Sequence, residues 1–570
     1  MKIRIKVKTL IMLVIAFATV FGVIIPGLFL YGVGEIEDNK KAAGLYEFYV
    51  NMPIVSFRDI ALYKMAKSLV PYMDTYDIFM FGRGSSGDLI TREDAEKAIE
   101  CYERILNKYK NSLYYVDAYK NLLDIYIGMG NGDKVQELID WGRNSSREEI
   151  VYTSHLYTAF NHMANRKYDE AMDIVEKCIL EGIEDRRLYE LKGIIYIFQE
   201  EYDLAEKAFE EASDKYFIHE NSRYLFGSIR KVYNSYWINS FIRRYAGDNT
   251  ITGRVTVDGK GIPYVQIYIH TKSQYGTYSP EDELYIAITD FNGDFETIGL
   301  KEGEYEIGIG VSQPLAYDLV YRERNEKMLQ VKGDTTYNFE FTQPMEIINP
   351  KGEFALKDNT FHLKWERVEG AEYYEVHAVC FEKPYDMSGS NMTYAIPDEK
   401  GEYEIKDTEA NIDIGVVNSY PTSVFLLDDD SEESIISPNG ILGTFYPGIK
   451  VPIIVKAYDA EGNILNSTLP LMSNYEDMTI VKVENRELSE GERLIANLKY
   501  EEAINYYEDI LKSDDKNVEA LTYLSRLYAE GWKKGTENLD KAKEYAERLY
   551  SITGDNNVLN RLNYILERKK

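Results

Sequence analysis

The chain has 570 residues, room for about four domains of ~150 residues each. Its 45% apolar and 13% aromatic content excludes global disorder. Acids number 95 against 65 Lys and Arg, and residues 1–34 carry Lys2, Arg4, Lys6 and Lys8 without an acid, so the other 536 residues hold a formal charge of -34. Such a surface repels phosphate backbones and anionic membrane faces over most of its extent, which excludes a non-specific nucleic-acid binder and broad membrane adhesion.

The first predicted element is the uncharged run Thr9–Gly34. At 1.5 Å per residue it spans about 39 Å, more than the ~30 Å hydrocarbon core of a bilayer. Four cations precede it and Glu35, Glu37 and Asp38 follow it, which orients its N-terminus toward the cytoplasm. We therefore expect residues 1–34 to be a cytoplasmic tail and a single-pass anchor, with the membrane held by residues 9–33 and everything after residue 35 extracytoplasmic. Cleavage after Ala16-Phe17-Ala18 or Gly32-Val33-Gly34, followed by secretion, is the alternative.

Residues 35–248 read as helical. Tyr168-Asp-Glu-Ala171 recurs 34 residues later as Tyr202-Asp-Leu-Ala205. Around the second copy stand Tyr189, Gly193, Tyr196, Phe209 and Ala212; looser copies hold His155, Ala159 and His162, then Tyr119, Leu122 and Tyr126, with Ala98, Tyr102 and Ile105 before them. This alternation of small and aromatic residues resembles the tetratricopeptide repeat. The small residues let paired helices approach while the aromatics fill the gaps between pairs. A further helix, around Glu220–Tyr245, would close the array. Inside this region Gly82-Arg-Gly84-Ser-Ser-Gly87 has the letter pattern of a dinucleotide cradle. The next helix, however, starts at Thr91 with Thr91-x-x-Asp94 as a capping box, so the glycines read as a flexible loop.

From residue 249 the period changes from 3.6 to 2. Val265, Ile267 and Ile269 alternate with Gln266, Tyr268 and His270; Tyr305, Ile307, Ile309 and Val311 alternate with Glu306, Gly308 and Gly310. Strands with one face in a core follow from that pattern. Residues ITGRVTVDGKGIPYVQI, TDFNGDF and LKEGEYEI resemble the carboxypeptidase regulatory-like family, which implies a non-catalytic β-sandwich over 249–342. Asp290-x-Asn292-x-Asp294 imitates a calcium loop, but its glycine is misplaced and an Asn-Gly hairpin turn explains it. The span 343–484 carries Phe361-His-Leu363-Lys-Trp365, alternating Ile453, Val455 and Ala457, and a turn at Asp459–Asn463. It resembles a fibronectin type III-like sandwich with Trp365 in its core and an excess over Phe381–Lys450. Asp428–Glu433 holds five carboxylates in six residues and reads as a solvated loop, with a bound cation as the alternative.

Residues 485–570 return to the helical pattern: Gly491, Leu494, Tyr500, Ala503, Tyr507 and Ile510, then Leu521, Leu524, Tyr528, Ala542, Ala546 and Leu549, and a capping helix near Asn557–Glu567. Two such units bury too little alone and are expected to pack on another domain or a partner. The fold class is thus multidomain α and β: a transmembrane helix, a tetratricopeptide-like solenoid, two β-sandwiches and C-terminal tetratricopeptide-like helices.

No nucleophile–base pair and no HExxH, GxSxG or P-loop stands in the sequence, and the six histidines are scattered. Cys101, Cys178 and Cys380 form no CxxC or Cys/His cluster and read as small buried hydrophobes. Neither catalysis nor a cofactor nor a metal is expected. In tetratricopeptide families the concave face binds peptides or proteins. Carried over to matched positions, that face would present Lys120 and Asp124, then Leu156, Phe160 and Met163, then Arg187, Glu190, Ile194 and Phe198. Its mixture of apolar and charged groups suits an amphipathic segment, unless the neighbouring β domain covers it. The expected role is a scaffold for other envelope proteins. A wall or carbohydrate-handling factor with a glycan ligand, and an extracytoplasmic chaperone, are the alternatives.

Overall fold

The structure, a computed structural model, describes residues 12–568 apart from 13, 18, 54, 72, 74, 80–81, 85–89, 184, 214–246, 272–283, 325–327, 382–390, 421–424, 428–433, 473–474 and 534. The helix expected near 220–245 and the acidic run 428–433 lie outside the described residues. The chain is mixed α and β and divides into two compact units, one of Met1–Leu319 with Glu326–Thr342, the other of Val320–Asn325 with Gln343–Lys570.

The first unit opens with α1 (Val14–Gly34), an apolar helix of 21 residues, long enough to cross a membrane. From Met12 to Leu28 its large side chains are mostly exposed, whereas Pro26, Leu30 and Val33 are buried. Next come α2 (Asn39–Val50) and α3 (Arg58–Leu69). The helical stack continues through α4 (Arg92–Lys108), α5 (Tyr115–Gly128), α6 (Gly132–Arg143), α7 (Glu148–Ala164), α8 (Tyr168–Leu180), α9 (Arg186–Phe198) and α10 (Tyr202–Ser213). The start of α4 is set by the anticipated box, in which Thr91 and Asp94 satisfy each other's backbone N–H.

Two sheets follow. One centres on strand Gly303–Ser312, flanked by Gln266–Thr271 and, beyond it, Leu284–Ile288. The other centres on Asn249–Val257, paired antiparallel with Asp294–Leu300 and parallel with Thr335–Thr336 and Phe339–Phe341. The 290–294 turn is the expected hairpin: Asp290 N–H donates to Asp294 O at 2.9 Å, and the Asp290 carboxylate accepts from the N–H of Asn292 and Asp294. Two features differ from the sequence reading. Thr75–Phe79 and Gly82–Gly84 form a hairpin whose first strand pairs with Gly308–Ser312, so the first half of the glycine motif is a β-strand added to this sheet. The polar face of Gly303–Ser312 is also covered: after the first two residues, every position along the strand is buried.

A short helix, α11 (Gln313–Ala316), closes the first unit's sheet. In the second unit, strand Thr360–Trp365 lies between Ile347–Asn349 and Glu409–Asp413, and a larger sheet runs Glu353–Leu356, Thr479–Val483, Lys450–Tyr458, Tyr373–Phe381, Asn391–Ile396. Trp365 is buried, its ring 5.6 Å from that of Tyr374. The excess stretch holds α12 (Ile414–Ser419), a hairpin of Phe425–Leu427 with Ser434–Ile436, and α13 (Pro438–Leu442). The chain ends in α14 (Glu490–Ala496), α15 (Tyr500–Ser513), α16 (Val518–Glu530), α17 (Leu539–Thr553) and α18 (Asn556–Arg568). These helices share one continuous core with the sheets, running from Trp365 and Val455 to Tyr500, Leu524 and Leu549. The insufficiency of two helical pairs alone is met within the unit.

Gly193 and Gly491 each face an aromatic ring 16 residues on. A Cβ at Gly193 would stand 2.6 Å from the Phe209 ring, and one at Gly491 would meet the Tyr507 ring closer still. Propensity alone predicts that Gly→Ala in a helix gains ~1 kcal/mol. Contact at this range reverses the sign, because the ring is held inside packed helices. We expect Gly193→Ala and Gly491→Ala each to destabilise the protein by about 1–3 kcal/mol in urea unfolding; a gain at either position would refute the close-packing argument.

Candidate functional site

The residues carried over from the sequence fall on three helices, α5, α7 and α9, that alternate along the stack. Lys120 and Asp124 sit on α5, Leu156, Phe160 and Met163 on α7, and Arg187, Glu190, Ile194 and Phe198 on α9. Their exposure differs from a solvent-facing slot: all are buried except Phe198, which is half-buried and stacks on Tyr168 at 5.5 Å.

Part of the cover is the unit's own β region. The Phe160 ring lies 6.0 Å from that of Tyr264, whose hydroxyl donates to Asn161 Oδ1 at 2.9 Å. Ser312 Oγ donates to Gly128 O at 2.6 Å, and the N–H of Phe291 donates to Asn165 Oδ1 at 3.2 Å. The α5–α6 and α7–α8 turns therefore lie against the sheets.

The charged members form a buried network. Tyr157 donates its hydroxyl to Asp124, Tyr152 donates to Asp185 Oδ2 at 2.8 Å, and Arg187 pairs with Asp185. Arg186 pairs with Glu190 at 2.8 Å. Burial pushes the Asp124 carboxyl up to about 7, against the Tyr157 hydrogen bond and the charges of Arg187, Lys67 and Lys120. Burial likewise lowers Lys120. Burial also opposes the charge on Arg187, yet the Asp185 carboxylate holds its pKa above the usual value. Sequence reasoning missed Tyr152, Tyr157 and Asp185, although a signal existed. Tyr152–Asp185 and Asp124–Tyr157 are each 33 residues apart, one short of the spacing between Tyr168 and Tyr202.

The second unit offers an open site. A cavity of about 230 Å³ lies between α12 and the C-terminal helices, lined among others by Asn418, Thr522, Ser525, Arg526, Asp555 and Arg561. Arg526 donates to Ile441 O at 2.8 Å and Asn418 O at 3.0 Å; Arg561 donates to Tyr420 O and Gly440 O, each at 2.8 Å. Both guanidinium groups thus rest on carbonyls at or near the C-terminal ends of α12 and α13, where a helix terminus favours a cation. Burial, and secondarily Arg526, depresses the Arg561 pKa to about 9. The rest of the lining mixes hydroxyl and amide groups with Val518, Leu549 and Val558, suited to a short amphipathic segment.

No described protein family matches the chain, and no curated protein matches it. Among solved structures it is similar to a DUF3823 family protein from Parabacteroides merdae, at 14% identity over 42% of this chain and 100% of the other, with a TM-score of 0.13. A proposed carbohydrate-binding protein from Bacteroides uniformis aligns at 13% identity over 40% of this chain and 100% of its own, TM-score 0.15. A leucine-rich repeat protein from Bacteroides thetaiotaomicron aligns at 11% identity over 45% of this chain and 28% of its own, TM-score 0.14. Likenesses this slight carry no argument about fold or activity.

The Asp124 geometry predicts a pH effect. A carboxyl whose folded pKa is raised from 3.8 to about 7 contributes stability that is full below 3.8 and lost as pH rises through 7. Relative to Asp124→Asn, the wild-type protein should therefore lose on the order of 1–3 kcal/mol of unfolding free energy between pH 4.5 and 8. Urea titrations at both pH values measure it, and parallel pH profiles for the two proteins would refute it.

Proposed function

We propose that this is a non-catalytic, membrane-anchored extracytoplasmic binding and scaffold protein of a bacterial envelope. The cavity beside Arg526 and Arg561, open on the C-terminal helices, carries the binding half of this reading. The apolar helix α1, preceded in sequence by four cations and followed by acids, supports the anchoring half. We read the helical pairs as tetratricopeptide-like, supported by the matching Gly193–Phe209 and Gly491–Tyr507 contacts at one spacing. The two β regions are read as carboxypeptidase regulatory-like and fibronectin type III-like modules that hold the helices. Because the inner face of the first stack is buried, the C-terminal cavity replaces it as the place where a partner segment docks.

A photo-crosslinking residue at Val518, which lines the cavity and is exposed, tests the binding half. In intact cells a discrete adduct with an envelope protein is expected, lost when Thr522→Trp fills the cavity. Adducts with glycan alone, or none, would sink the scaffold reading. Protease added outside the membrane should digest the second unit; its protection would reverse the orientation.

A further inference from the structure

The first unit has two edges of helix turns. One, formed by the α5–α6 and α7–α8 turns, is taken up by the sheets. The other is formed by the C-terminal end of α2 and the α4–α5 and α6–α7 turns, and it carries large apolar side chains in water: Phe48 62% exposed, Leu113 89% and Trp141 42%. Exposed aromatics and leucine at turn tips are unfavourable in solvent and favourable at a bilayer interface.

This edge is continuous with the anchor. The Tyr49 ring stacks on Phe29 at 5.3 Å, and the Tyr46 hydroxyl lies beside Gly34. Advancing along α2 thus retreats along α1, so the end of α2 folds back toward the membrane. The lengths agree: the uncharged run exceeds the hydrocarbon core by about 9 Å, or six residues, the stretch from Phe29 to Gly34. From α2 the surface passes to Tyr114, whose ring stacks on Tyr63 at 4.1 Å, and then to the next turn through Arg147, which donates to Lys110 O at 2.7 Å. Arg147 also covers the Tyr115 ring, which neighbours Trp141 at 6.4 Å.

The charge here is close to balanced, whereas the chain as a whole is strongly acidic. Residues 108–115 and 141–147 hold Lys108, Lys110, Arg143 and Arg147, with the exposed acids Glu47, Asp140, Glu148 and Glu149 at their borders. Arg143 is shared with Asp140 at 3.2 Å, while Lys108 and Lys110 are exposed. One turn further, Leu180 is exposed beside Glu181, with no lysine or arginine among residues 178–184.

We propose that this edge lies on the outer face of the bilayer crossed by α1, with Phe48, Leu113 and Trp141 in the interface and Lys108 and Lys110 against anionic headgroups. The proposal rests on the anchoring reading above. Docking would extend the hold of the first unit on the membrane from the α1–α2 contact to the α4–α5 and α6–α7 turns.

The full chain in vesicles of phosphatidylglycerol and phosphatidylcholine, with plain or brominated acyl chains, tests it. Trp141 emission is taken as the difference between wild type and Trp141→Phe, and carbonate extraction is run in parallel. The expected result is a carbonate-resistant protein whose Trp141 emission is quenched by brominated lipid. In Lys108→Glu/Lys110→Glu the docking equilibrium falls by roughly 30-fold or more and the quenching is relieved. A carbonate-resistant protein with equal Trp141 emission in both lipids overturns the docking and leaves the anchor standing. Release by carbonate overturns both.

Discussion

A short stack of helices has an inner face that water cannot be allowed to keep. Each helix buries its apolar stripe against its neighbours, and α5, α7 and α9 still present a wall of Leu, Phe, Tyr and charged groups. In the first unit Phe160 and Asn161 meet Tyr264, and Gly128 meets Ser312. In the second, Tyr500 and Leu524 share a core with Trp365 and Val455. The β regions are thus structural halves of the units they belong to. Removing either would expose several fully buried large side chains, each worth about 1.5–3 kcal/mol, against a total stability of only about 5–15 kcal/mol.

That constraint explains what was legible in the sequence. Helices and strands followed from periodicity: Gly193 with Phe209 and Gly491 with Tyr507 mark helix pairs, Trp365 marks a core, and the turns at Asp290 and Asp459 mark hairpins with their carboxylates inside. These are local signals, set by residues a few positions to a few turns apart. What lay on the polar faces was not legible. Glu306 and Gln266 read as solvent-facing positions, and both are buried. Alternation reports which face is more apolar, not whether a second layer covers the other. Lys120, Asp124 and Arg187 misled in the same way, since charge on a helix face looks like an invitation to solvent until Tyr157 and Asp185 close over it.

The buried charges differ in what holds them. Arg187 is paired with a carboxylate, so removing one partner strands the other. Arg526 and Arg561 instead lean on backbone carbonyls of α12 and α13, fastening the long excursion of the second β region to the last helices. The sequence betrays no such pairing, because a carbonyl has no letter of its own. It is through these two side chains that a segment first read as surplus becomes the wall of the cavity.

The hairpin at 75–84 has a bearing on biogenesis. Its strand pairs Ile78 with Ile309, a partner made about 230 residues later. At ordinary elongation rates that is a wait on the order of tens of seconds. Throughout it the strand has an unsatisfied edge. The first unit becomes a closed object only after its last β-strand, Phe339–Thr342, has been made.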